Sequence, residues 1–234
     1  MTPFSDIPYI DFHTHRRTDQ SGTICVVSMN GVPDRQADYF TSGYHPWWLE
    51  DNLSVSQLAV LEDLYTHNKD CLGIGECGLD ALRGLTLERQ EENFIMQLEV
   101  ASRCGAPVII HCVRAFDRLL RLARTHRKTP WVVHGFVRNK MLARQVLDQG
   151  IHLSVAPAIK MTPVFAEMLA FIPLQNVFLE TDSEHSLSID RRYAIFADLR
   201  GIGIDLLKDR MFDNFKSFFA AKWKYHDGWS EQSS

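Results

Sequence analysis

Eight short apolar runs recur along this chain, at residues 7–13, 24–29, 39–44, 71–76, 107–111, 131–134, 151–155 and 177–181. The fifth is continuous in apolar residues, as a strand buried on both faces of a parallel sheet must be. Helical patterns fill the intervals at 55–65, 87–103, 115–126, 141–147 and 163–170, with two more near 193–199 and 206–219. In the segment 87–103, Phe94, Leu98 and Ala101 share one face. Strand alternating with helix to a count of eight predicts an α/β fold, a single (β/α)8 TIM-type barrel. The barrel is expected over residues 1–225, with a mobile polar tail at 226–234. A doubly wound open sheet is the competing architecture, but no Gly-rich dinucleotide loop supports it.

Every one of several potential ligands closes such a run. His13 and His15 end the first, Glu76 the fourth, His111 the fifth, His134 the sixth, and Asp182 follows the eighth. In a parallel barrel these ends share one mouth, the face on which such barrels carry their chemistry. Alternate strand residues share a face, so His13 and His15 can chelate one ion. Asp11, one layer deeper, is expected to accept a proton from an imidazole or to fill the barrel core. Glycines flank Glu76 and allow close backbone approach, and its carboxylate can bridge two cations. A lone histidine ending an apolar strand is usually a core residue; two such residues, His111 and His134, facing an H-x-H pair and a glutamate reverse that reading. Asp182 can ligate metal and accept a proton from an attacking water. Cys77 and Cys112 directly follow ligands and are expected to point away from the mouth.

Composition narrows the partners. A chain of 234 residues suits one barrel and leaves little room for a second large domain. With a net charge of −4, nucleic acid could be held only by a local patch or by metal. The five cysteines form no C-x-x-C pair and read as reduced thiols of a cytoplasmic protein. Neither a signal peptide nor an apolar run of the roughly 18 residues needed to cross a bilayer is apparent, so no membrane partner is expected. No obligate protein partner is evident.

Taken in order, Asp11-Phe12-His13-Thr14-His15, Gly43-Tyr44-His45-Pro46, Gly75-Glu76-Cys77-Gly78-Leu79-Asp80, Glu88-Arg89-Gln90 with Phe94 and Gln97, Pro107-Val108-Ile109-Ile110-His111, His134-Gly135-Phe136 and Leu179-Glu180-Thr181-Asp182 resemble the TatD-like metal-dependent deoxyribonuclease family. The resemblance implies a barrel of the metal-dependent hydrolase type that cleaves phosphodiester bonds in DNA through a metal-activated water. It implies one or two divalent ions (Zn, Mn or Mg): His13, His15 and Asp182 on one, His111 and His134 on the other, Glu76 between them. Mixed nitrogen and oxygen donors suit Zn or Mn better than Mg. Glu76 and Asp182 are then also the catalytic carboxylates.

For substrate contacts the candidates are His45, Arg114, Arg138 and Lys160, with Asp80 a residue that orients the site from behind the ligands. Trp47 and Trp48 can stack on a base, although loop packing is their commoner use. The chain departs from the family pattern at Val113, Glu184, Gly135 and Arg138, all around the rim. Hydrolysis of another bond on the same site (small ester, lactone, amide or aminoacyl-tRNA) is the alternative, and a ligand-binding barrel without turnover is a third reading.

Overall fold

The computed structural model describes residues 7–17, 20–34 and 36–223, so the tail at 226–234 lies outside the described residues. Eight parallel strands follow one another in sequence order: β1 (Tyr9–Thr14), β2 (Thr23–Asn30), β3 (Tyr39–Gly43), β4 (Cys71–Asp80), β5 (Val108–Val113), β6 (Trp131–Val133), β7 (His152–Val155) and β8 (Val177–Leu179). The outer layer comprises α1 (Val55–His67), α2 (Leu87–Cys104), α3 (Phe116–His126), α4 (Lys140–Asp148), α5 (Pro163–Phe171), α6 (Ile189–Arg200), α7 (Ile204–Phe218) and the short α8 (Ala220–Trp223). The β1–β2 and β2–β3 connections carry no helix among the described residues, so strict alternation begins only at β3.

β8 closes onto β1 through one bridge, Thr14 with Asp182, where the Asp182 N–H donates to the His13 carbonyl at 2.9 Å. The expected eighth strand thus stops at Leu179, and Asp182 lies just beyond it.

Apolar side chains fill both sides of the sheet. Inside the barrel, Ile10, Phe12, Ile24, Leu72, Ile109, Val132 and Phe178 pack together, and Phe215, Phe218 and Phe219 from the α7 end join them. Phe12 stacks on Phe178 with ring centroids 3.9 Å apart. That packing fills the interior, so any ligand must sit at the mouth. Helix boundaries follow local chemistry: Ser54 and Gln57 form a reciprocal capping box at α1, and Thr86 caps α2. No helix among the described residues is long and apolar enough to cross a membrane.

The β1–β2 register shifts, as do those of β3–β4 and β4–β5. Asp11 pairs with Cys25 and Thr14 with Val27, three steps along β1 against two along β2. This bulge lets the successive residues Phe12 and His13 both serve the interior and the mouth. It also turns Asp11 the other way. Contrary to expectation, Asp11 meets no imidazole among the described residues; its carboxylate accepts from the Thr181 N–H (2.8 Å) and hydroxyl (2.7 Å), tying β1 to the chain after β8. Burial pushes its carboxyl up to about 7.

Candidate metal centre

Glu76 is the hub. It sits where the β4–β5 ladder slips between Ile74 and Cys77, and the flanking backbone is crowded. A Cβ at Gly43 would lie 2.7 Å from the Gly75 Cα, and Gly78 adopts a φ of 142° against His111, a conformation that side chains rarely allow. The buried Glu76 carboxylate faces five imidazoles. Its Oε1 lies 2.7 Å from His134 Nε2, 3.0 Å from His45 Nε2 and 3.1 Å from His111 Nδ1; its Oε2 lies 3.4 Å from His13 Nε2 and 3.5 Å from His15 Nε2. Asp182 Oδ1 stands 3.3 Å from His15 Nε2 and 4.0 Å from His13 Nε2. The tertiary fold therefore brings His13, His15, Glu76, His111, His134 and Asp182 together.

Helix α2 aims the loops behind this hub. Its row of buried amides clamps two of them: Gln90 Oε1 accepts from the Asp80 N–H (2.6 Å), and Gln97 Oε1 accepts from the Tyr44 N–H (2.8 Å) beside His45. Asn93 Oδ1 accepts from the Leu53 N–H at 2.6 Å. Asp80 Oδ2 in turn accepts from Trp47 Nε1 (2.6 Å) and lies 3.0 Å from His111 Nε2.

The charges are mutually adjusted. Burial opposes ionisation of Glu76, but the surrounding imidazoles overcome it and hold the carboxyl well below its usual range. Burial likewise opposes charge on His134, yet Glu76 prevails and lifts it to about 10. His13 goes the other way, to about 4, because burial and the neighbouring His134 charge both disfavour its cation. The Asp182 contact raises His15, while burial lowers His45. Burial opposes charge on Asp80 and Asp182 too, but partners including His111 and Trp47 for the first, and His15 and His134 for the second, keep both carboxyls depressed.

The donor set fits a cation. Ionised Asp80 can only accept, so His111 Nε2 carries a proton, and Nδ1 is the ring atom left to offer a lone pair on the Glu76 Oε1 side. A cation between that nitrogen and the carboxylate would satisfy both. His13 Nε2, Glu76 Oε2 and His134 Nδ1 are also buried without a hydrogen-bond partner, a cost that a bound ion would remove for the facing pair. Donor atoms from four residue sets (His13, Glu76, His134; His13, His15, Asp182; His45, Glu76, His111; His134, Glu180, Asp182) lie within 4.8 Å of one another.

Rim residues separate into near and far. Arg138, Trp47 and Phe136 line a cavity of about 240 Å³ beside His111, His134 and Asp182. Arg114 and Lys160 are exposed on the loops after β5 and β7 and do not line it. Cys112 and Cys77 both pack in the apolar layer between sheet and helices, Cys112 also bordering this cavity and the Cys77 thiol turned to the Ile109 carbonyl. Trp48 is exposed; Trp47 is tied to Asp80 and carries the Arg83 guanidinium over its ring at 4.6 Å, which is packing within the rim. Glu180 was not legible as a site residue. Fully buried, it accepts from the Gly135 N–H at 2.6 Å and is pushed up by burial to about 7. Its signal was a carboxylate directly after the apolar run of β8.

A profile of the family described as TatD related DNase matches residues 34–220. The chain belongs to that family. The match spans Glu76, His111, His134 and Asp182 and starts after His13 and His15. Among curated proteins, the chain is similar to the "3'-5' ssDNA/RNA exonuclease TatD" of Klebsiella pneumoniae (strain 342), 33% identical over 163 residues, which are 64% of this chain and 59% of that protein. The chain thus spans about three-fifths of the length of the curated relatives it matches. Among solved structures, the TatD homolog YJJV from Escherichia coli K12 superposes with a TM-score of 0.77 at 24% identity, covering 91% of this chain and 98% of that one. A TatD family hydrolase from Entamoeba histolytica gives 0.73 at 14% identity, covering 90% and 97%. These likenesses show the barrel fold.

Proposed function

We propose that this TatD-family barrel is a divalent-metal-dependent hydrolase that cleaves phosphodiester bonds in single-stranded nucleic acid, DNA foremost. The observation that carries the reading is the convergence of His13, His15, Glu76, His111, His134 and Asp182 on one mouth, where buried His13 Nε2, Glu76 Oε2 and His134 Nδ1 lack hydrogen-bond partners. The relatives' names, which specify ssDNA and RNA, supply the substrate class.

In this reading His13, His15 and Asp182 hold one ion, His111 and His134 the other, and Glu76 lies between. Zn or Mn suits these donors. A divalent ion there lowers the pKa of water and neutralises charge on a phosphoryl group. Asp182, kept ionised by its imidazole neighbours, accepts the proton that the attacking water gives up. Arg138, beside the cluster, binds a phosphate oxygen, with Arg114 and Lys160 reaching the strand farther out. With a net charge of −4, such local contacts must do the holding. The absence of a disulfide among the five cysteines supports a reducing compartment, the cytoplasm.

The test is release of nucleotides from labelled single-stranded DNA and RNA with Zn, Mn or Mg, and with chelator, alongside a panel of small esters. Metal-dependent release that disappears in His111→Ala and Glu76→Ala is expected. Unchanged metal-dependent hydrolysis in both variants removes the reading, and ester cleavage without nucleotide release would move the activity to the other bond.

A further inference from the structure

Two histidines approach the same oxygen of Glu76 at nearly the same distance, His45 Nε2 at 3.0 Å and His111 Nδ1 at 3.1 Å. By distance alone both are ligands, and with Glu76 they form one of the clusters able to hold an ion. Their other ring nitrogens separate them. The second nitrogen of His111 faces the acceptor Asp80, whereas His45 Nδ1 accepts a hydrogen bond from the backbone N–H of Trp47 at 3.1 Å.

A backbone N–H can only donate, so Nδ1 of His45 carries a lone pair and no proton. The proton of the neutral ring is then on Nε2. A nitrogen that bears a proton has no lone pair for a metal. Were Nε2 to ligate, the proton would move to Nδ1 and confront the Trp47 N–H.

The arrangement is built into the local chain. The Trp48 N–H donates to the His45 carbonyl at 3.1 Å, closing a turn with Pro46 at its second position. The His45 N–H donates to Asn30 Oδ1 at 3.1 Å, and the ring is buried among His111, Trp47 and Trp48.

Resting on the hydrolase reading above, we propose that His45 serves the reaction as a neutral hydrogen-bond donor, its Nε2–H directed at a phosphoryl oxygen of the substrate, and is not a ligand of the metal. A fixed N–H at the border of the ligand cluster can donate only to an oxygen held there. In the structure that oxygen belongs to Glu76. When Glu76 is engaged by a cation, the substrate's phosphoryl oxygen takes its place. Such a donor costs no reorganisation as charge develops on the oxygen.

Three measurements test this. In metal-loaded protein with ¹⁵N-labelled histidine, the ring resonances lost in His45→Gln should show a protonated Nε2 and a bare Nδ1; a protonated Nδ1 overturns the proposal. Metal stoichiometry should be unchanged in His45→Ala and His45→Gln but reduced in His111→Ala; loss of an ion in both His45 variants overturns it. On single-stranded DNA, His45→Ala should lose on the order of 10²–10³-fold in kcat with little change in KM. His45→Gln should recover at least about tenfold of that, since its amide donates but offers no nitrogen lone pair; equal loss in both variants overturns the donor role. A wild type inert towards nucleic acid would refute the phosphodiesterase reading and the phosphoryl acceptor with it. The tautomer and the ion count would still decide between donor and ligand.

Discussion

Replacing Glu76 by Gln keeps the shape of the hub and removes its charge, and the structure sets the size of the response in metal-free protein. His134 Nε2 stands 2.7 Å from Glu76 Oε1. At an effective dielectric constant of about 20, a charge pair at that distance attracts with roughly 6 kcal/mol. The rise of His134 from 6.5 to about 10 corresponds to on the order of 5 kcal/mol after burial has taken its share. The folded-state pKa lies above the unfolded one, so this stabilisation is complete below pH 6.5 and is lost as pH rises towards 10. Without the Glu76 charge, burial governs the ring, as it does for His13, and His134 should titrate below 6.5. Urea denaturation of chelator-treated protein should therefore show a wild type that loses several kcal/mol more than Glu76→Gln between pH 6.5 and 10. Cysteine ionisation, common to both proteins, largely cancels in the difference. Parallel curves, or a variant that loses more, would refute the charge assignment.

Truncating Asp80 to Ala removes the acceptor of His111 Nε2 and should weaken metal affinity by about 10–100-fold; it also strands the Trp47 Nε1–H and Leu82 N–H donors, so the metal-free protein should lose about 1–3 kcal/mol, and metal titration followed by calorimetry reads both. Arg138→Ala should raise KM for single-stranded DNA and lower the slope of log K against log salt by about 1, measured by fluorescence anisotropy; an unchanged slope places Arg138 off the phosphate path. Phe12→Ala should destabilise the fold by about 3–5 kcal/mol, because Phe12 is fully buried and stacked on Phe178; urea midpoints with an unchanged slope check it.

The strand positions and the candidate ligands that end them were legible because both are local. An apolar run ending in His, Glu or Asp marks a strand whose end meets water or a ion, and parallel strands place all such ends on one face. His13, His15, Glu76, His111, His134 and Asp182 could therefore be named before any coordinates. The phenylalanine plug from α7 was not legible, since helix destinations depend on packing across the whole barrel.

Side-chain direction and proton placement belonged to the tertiary structure alone. A one-residue slip in the β1 ladder turned Asp11 from the imidazoles to Thr181, and strand periodicity cannot announce a slip because it presumes regular pairing. Glu180 read as one acid of a motif until the fold buried it beside Gly135. His45 and His111 look alike as letters; a backbone N–H two residues away and a carboxylate from another strand leave both protons on Nε2, but His45 turns that N–H towards Glu76 and His111 turns it away. Residue types and their periodicity determined what could gather at the mouth. Which atom of each residue faces inward, and whether it brings a proton or a lone pair, was decided by hydrogen-bond partners that only the closed barrel supplies.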